Sequence, residues 1–149
     1  MPEAQAFAQA YTLTHYKTPQ VSFTLSTETT DVILFTGRNF AIITAHNPRS
    51  EMFSQEENDK RHQVLQNHLQ EKKYEVEPST GESPDGSWRE EGFVIFDIEL
   101  ATALDMGQRF EQHAILYGQG NRVALAWCES KKLDWFHPKL LSDKLEQKI

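Results

Sequence analysis

The sequence predicts an α+β domain: a ferredoxin-like split β-α-β sandwich, with a mainly antiparallel sheet, helices on one face and an N-terminal helix or strand extension. Two observations predict it. From residue 40 onward, periodicity and turn residues read as strand, helix, strand, strand, helix, strand, strand, and the first six elements follow the split β-α-β order. The strand candidates are short β-branched or aromatic runs bounded by turn residues, as segments buried in a sheet are. At 149 residues, with no repeat, low-complexity tract or composition shift, the chain reads as one domain over 1–149. Its core is expected over about residues 11–128, with 129–149 as a C-terminal tail or short helix.

Each element has a local reason. Pro2 suits a first helical position, and the Ala-rich stretch to Tyr11 favours a short helix. Residues 21–25 alternate apolar with Ser or Thr, as a half-buried strand does. Residues 31–35 fit a strand or a short helix, and Gly37-Arg38-Asn39 signals a turn. Residues 40–45 form a strong buried strand. Pro48 bars Asn47 from the right-handed helical region, so residues 46–50 are loop. Ser54 and Glu57 have the capping-box spacing, and a long helix should run from there to about Lys73. Residues 74–77 read as a short strand, 78–87 as a flexible Gly/Pro loop, and 92–96 as a central strand apolar on both faces. Residues 100–110 form a second helix. Residues 113–117 and 123–127 are strands joined by the Gly118–Asn121 turn.

Charge narrows the function classes. The net charge is −7, with thirteen acids and five bases in residues 51–100. A broad nucleic-acid surface rests on Lys and Arg neutralising phosphates, so nucleic acid is an unlikely partner. The single cysteine, Cys128, excludes an internal disulfide and a multi-cysteine metal site. No secretory signal and no membrane-spanning run is visible, so a cytoplasmic location is expected and no membrane partner. There is no P-loop, HExxH or GxSxG motif. No metal site is expected, and no cofactor is indicated.

One polar constellation stands out. At 100° per residue, Asn58 and Arg61 share the helix face of Leu65 and Leu69. A polar pair opening an apolar stripe either satisfies buried loop groups or lines a pocket where the helix begins. Asn47 and Arg49 come from the preceding loop, Glu90 and Glu91 lead into the central strand, and Arg109 and Gln112 flank the end of the second helix. If Glu90 and Glu91 lie on a strand, they face opposite sides and at most one serves such a site. An inward Arg61 needs a carboxylate, with Glu90 or Glu91 the expected partner.

The strings Thr44-Ala45-His46-Asn47-Pro48-x-Ser50, Glu57-Asn58-x-x-Arg61, Gly81…Pro84-x-Gly86-x-Trp88-x-Glu90-Glu91 and Arg109-Phe110-x-Gln112-x-Ala114-Ile115 resemble a bacterial family known as domain of unknown function 3293. The resemblance spans about residues 11–126. His46 stands where that family usually carries Trp. The resemblance implies a small bacterial cytosolic protein and no particular activity, substrate or catalytic residue.

Three functions follow in order. The first is a pocket for a small polar or anionic ligand, Arg49 and Arg61 holding a phosphate or carboxylate and Glu90 or Glu91 the one plausible general base. The second is a non-catalytic protein-interaction module, using an acidic surface and a sheet edge to meet a basic partner or form a homo-oligomer. The third is nucleic-acid processing through metal-bound carboxylates.

Overall fold

In the computed structural model, which describes residues 2–141, the sheet does not end in two edges. Eight strands close a barrel in the order β1(His15–Lys17), β2(Ser22–Ser26), β8(Leu133–Leu140), β7(Arg122–Trp127), β6(Ala114–Gln119), β3(Phe40–Thr44), β5(Arg89–Phe96), β4(Val76–Glu82), with β4 returning to β1. All eight pairings are antiparallel. Three helices accompany it: α1(Pro2–Leu13), α2(Gln55–Glu71) and α3(Leu100–Arg109). Among the described residues no helix is long and apolar enough to cross a membrane.

The ferredoxin-like sandwich is therefore incorrect. Its reading carried the sheet past β6 only as far as the β7 hairpin and left β4 as an edge, whereas β7 continues into β8 and β2, and β4 continues into β1. Three strand assignments caused the error. β1 is too short for any alternation to show. The stretch 78–87, read as loop, carries most of β4, where Pro78 pairs with Phe93 and Gly81 with Glu90. The expected tail holds β8, which pairs with both β2 and β7; residues 142–149 lie outside the described residues. Closure also removes the free sheet edge on which the interaction-module reading leaned.

The alternation of inward and outward side chains divides the core in two. Inside the barrel are Phe23, Leu25, Phe40, Val94, Phe96, Leu116, Val123 and Leu125. Outside, Ala41, Ile43, Phe93, Ile95, Ile115 and Tyr117 pack against Leu65 and Leu69 of α2 and Ala103, Leu104 and Met106 of α3. Strands β3, β5 and β6 are thus covered on both faces, which is why residues 92–96 are apolar throughout. A Cβ at Gly107 would meet Cys128 Sγ at 2.6 Å, so glycine there lets α3 sit close on the wall. Burial pushes the Cys128 thiol up to about 12, so it is no thiolate nucleophile at neutral pH.

The interior is filled unevenly. At one end Phe40 packs its ring on Gly118 and edge-on to Phe35, plugging the barrel. At the other end the inward residues are small: Ser79 and Gly81 in β4, Gly92 in β5 and Ala114 in β6. Gly92 is the tightest of these, since a Cβ would overlap the Ile43 carbonyl oxygen and lie 3.1 Å from Thr44 Cα. At Gly81 a Cβ would meet Thr14 and Tyr16 side-chain atoms at 3.4 and 3.9 Å, ordinary contacts. Gly92→Ala is therefore expected to destabilise the protein by about 3 kcal/mol, because backbone must yield. Gly81→Ala should change stability by less than about 1 kcal/mol. Denaturant melts of the two variants check this; equal losses would show that the close approach of β3 and β5 does not carry the cost.

Candidate functional site

The small inward residues leave a cavity of about 70 Å³ at the end where β3 finishes and β5 begins. Two cross-strand rows build it. Tyr16 of β1 pairs with Gly81 of β4, which pairs with Glu90 of β5. Ser79 pairs with Gly92, which pairs with Thr44 of β3. Directly paired residues share a face, so both rows point into the barrel. Ala114, Leu116 and Ile42 add apolar wall, Tyr11 of α1 and Thr14 just after it also line the cavity, and so do Trp88 and Gln112.

Glu90 is the acidic side chain of this cavity, and no Lys, Arg or His is among the lining residues. Burial raises its carboxyl above the ordinary range, and a hydrogen bond from Asn47 partly opposes this. Asn47 Nδ2 donates to Glu90 Oε2 at 2.8 Å. Tyr11 and Tyr16 are also pushed up, first by burial, with the Glu90 charge contributing to each, so both phenols stay protonated at neutral pH.

Asn47 is held from behind. Its backbone lies in the left-handed region (φ 47°, ψ 62°), where Asn is better tolerated than most residues. Asn58 Oδ1 accepts the Asn47 backbone N–H at 2.9 Å, and Asn58 Nδ2 donates to Asn47 Oδ1 at 3.0 Å. The same Asn47 oxygen accepts the Phe53 N–H at 2.9 Å. Every polar atom of the Asn47 amide is engaged, which fixes the direction in which it offers Nδ2 to Glu90.

The eight candidate residues divide. Glu90 and Gln112 line the cavity, Asn47 bonds to Glu90, and Asn58, only 6% exposed, orients Asn47. Gln112 Nε2 donates to the His46 and Phe110 carbonyls at 3.1 and 3.2 Å. Glu91 is not among the lining residues; its carboxylate lies 3.8 Å from Arg89 and its N–H meets His46 Nδ1. Arg49 is exposed beside Glu111, and Arg109 is exposed in the last turn of α3.

Arg61 corrects an expectation. Its side chain is 23% exposed and its partner is neither Glu90 nor Glu91: it lies 3.6 Å from Glu111. Its Nε donates to Ala45 O and its Nη2 to Phe110 O, both at 2.7 Å. It ties the end of β3 to the end of α3. At the start of α2 the Ser54 and Glu57 N–H groups are likewise occupied, since the two residues close a reciprocal capping box. The arrangement expected to hold an anion is thus engaged with the chain itself.

The sequence reading missed Tyr11, Thr14, Tyr16, Thr44 and Ser79 as lining residues. Parity was the available signal: Glu90 shares its strand face with Gly92, Val94 and Phe96, and Thr44 shares its own with Ile42 and Phe40. His46 packs away from the cavity, edge-on to His62 at 5.8 Å, and His62 stacks on Phe93. Among the described residues no group of three or more metal-ligating side chains converges.

Residues 43–115 match the family model described as protein of unknown function (DUF3293). The segment carrying this family's pattern runs from within β3 to the start of β6 and contains all eight candidate residues; it is shorter than the 11–126 expected. No curated protein and no solved structure matches the chain.

Removing the Arg61 guanidinium takes the donor from Ala45 O and leaves Phe110 O with Gln112 Nε2 alone. Arg61→Ala is expected to cost about 2–3 kcal/mol in denaturant unfolding, with Arg61→Lys recovering less than half because one ammonium cannot reproduce the fork. A loss near zero would mean that water replaces those donors.

Proposed function

We propose that the chain is a small-molecule-binding barrel whose ligand enters the cavity at the Glu90 end. The observation that carries this reading is a carboxyl set into a mostly apolar, aromatic-walled cavity and aimed by a two-asparagine clasp. Small barrels of this strand number have room for side chains or for one small ligand. Here one end is plugged with Phe rings, while small residues at the other leave space. Ligand sites combine an apolar wall with a few fixed polar groups in this way.

Binding fits better than turnover. General acid–base work needs groups whose pKa values straddle the working pH. The titratable neighbours of Glu90 in the cavity are two tyrosines held protonated, so a second proton carrier near neutrality is missing among the lining residues. The cavity also disfavours the anionic ligand expected from the arginines, because Arg49, Arg61 and Arg109 do not line it.

A thermal-shift screen of molecules with about three to six non-hydrogen atoms tests the reading. At least one should raise the melting temperature saturably, by mass action. Gly81→Ala, which places a methyl in the cavity, should lose that shift. Compounds that stabilise both proteins alike, or no stabilising compound, would refute it.

The pH dependence has a definite sign. Between the ordinary carboxylate pKa and its raised folded value, Glu90 binds its proton more tightly folded than unfolded. Stability from this group is therefore full below the ordinary value, falls as pH rises through the folded value, and then levels off. His46, lowered chiefly by burial, works in the opposite sense: its contribution is present above the ordinary histidine value and is lost below it. Subtracting the stability–pH curve of Glu90→Gln from that of the wild type isolates Glu90. The difference should disfavour the wild type increasingly above the ordinary carboxylate range; a flat difference curve would place Glu90 in contact with water.

A further inference from the structure

Resting on that reading of the cavity, we propose that the ligand's head group is a protonated primary amine, with its ammonium on Glu90 and its short stem among Tyr11, Tyr16 and Trp88. The argument is one of hydrogen bonding. Thr14 Oγ1 donates to Ala10 O at 2.7 Å, Tyr16 Oη to Tyr11 O at 3.0 Å and Thr44 Oγ1 to Glu91 O at 2.6 Å. Carbonyl oxygens cannot donate, so each of these hydroxyls has committed its hydrogen to the main chain. What remains on them is lone pairs, one of those on Thr44 already accepting the His46 N–H at 3.0 Å. Gln112 has likewise committed Nε2 to two carbonyls. Ser79 and Tyr11 keep a hydroxyl hydrogen and Trp88 its indole N–H; the rest of the polar lining offers acceptors only, and it includes a carboxyl with no cationic side chain among the lining residues. A ligand that satisfies such a lining must bring donors, and an ammonium brings three together with the missing positive charge.

Two further features agree. Three aromatic side chains line the cavity, and a cation within reach of such rings gains attraction that an anion does not. The β4–β5 hairpin carries Glu82, Asp85, Glu90 and Glu91 against Arg89, with Lys17 of β1 paired to Glu82 at 2.6 Å, and the remaining acidic excess concentrates cations near this end. The volume sets the size: about 70 Å³ is far below the roughly 300 Å³ where drug-sized pockets begin. It admits an ammonium with a short aliphatic stem and excludes a nucleotide.

Four probes of similar size decide: propylamine, propan-1-ol, propionamide and propionate, each titrated into the full chain at pH 7.5 and equal ionic strength. Binding is read by calorimetry and melting temperature. Propylamine should bind saturably, the neutral probes about tenfold or more weaker and propionate not measurably. Glu90→Gln should weaken propylamine by about tenfold or more. If propionamide or propan-1-ol binds as well as propylamine, or the Gln variant keeps full amine affinity, the ammonium assignment is wrong while the cavity reading stands. If none of the four binds, the assignment falls as well, and the broader screen of small molecules then decides whether the cavity takes any ligand. Should Glu90→Gln fail to fold, the wild-type probe series is sufficient by itself, since propan-1-ol matches propylamine in shape without its charge.

Discussion

Three residues close the ring. Tyr16 and Lys17 pair with Phe23 and Ser22 of β2, and His15, Tyr16 and Lys17 pair with Glu82, Gly81 and Thr80 of β4. Without that bridge β4 would be an edge, and its Ser79 and Gly81 would lie on a half-open surface. With it, every strand has two neighbours, and the two-residue period of a strand becomes an inside and an outside for the whole protein. The row Tyr16, Gly81, Glu90 follows from this register and not from any direct attraction among those side chains. A one-residue slip in the β4–β5 pairing would turn Glu90 outward and bury its neighbour instead.

The elements that were legible in the sequence are those whose local signals agree with their surroundings. The capping box at Ser54 and Glu57, the β-branched run of β3 and the β6–β7 hairpin each declare themselves within a few residues. β4 does not, because composition and role conflict there. Ser79 and Gly81 are poor strand formers, and they are small for the same reason that a cavity exists. A strand lining empty space lacks the bulky inward residues by which strands are recognised. β8 hides differently: its residues are mostly half-buried, with Pro138 fully buried near its end, so alternation is faint. The stretch that was hardest to read thus includes the wall of the candidate site.

The candidate residues show the same division between local and global information. Helical geometry rightly placed Asn58 on the buried face beside Leu65 and Leu69. It could not distinguish two neighbouring tasks, because they depend on which strand end meets which helix end. Arg61 reaches across to Ala45 and Phe110 and works as a tie. Asn58, three residues before it, works on Asn47 and through it on Glu90. Choosing Glu90 over Glu91 needed only strand parity and a direction for the barrel interior. Choosing Glu111 as the acid beside Arg61 needed the packing of α3 against β3, which no spacing within the chain reveals.

The strongest physical argument for a site is that Glu90 is the wrong residue for packing alone. A carboxyl whose charged form is disfavoured by burial costs stability at neutral pH. Glutamine has nearly the same shape, would still accept from Asn47 Nδ2, and would offer an amide to a lining that consists largely of acceptors. A network built for stability has no use for the charge, since Asn47 and Asn58 already bond to one another and Asn47 to the Phe53 N–H. Proteins break local rules of this kind where a ligand or a reaction completes the arrangement. The unmatched element here is one buried carboxyl in a space of about 70 Å³, and the occupant that completes it is small, rich in donors and positively charged.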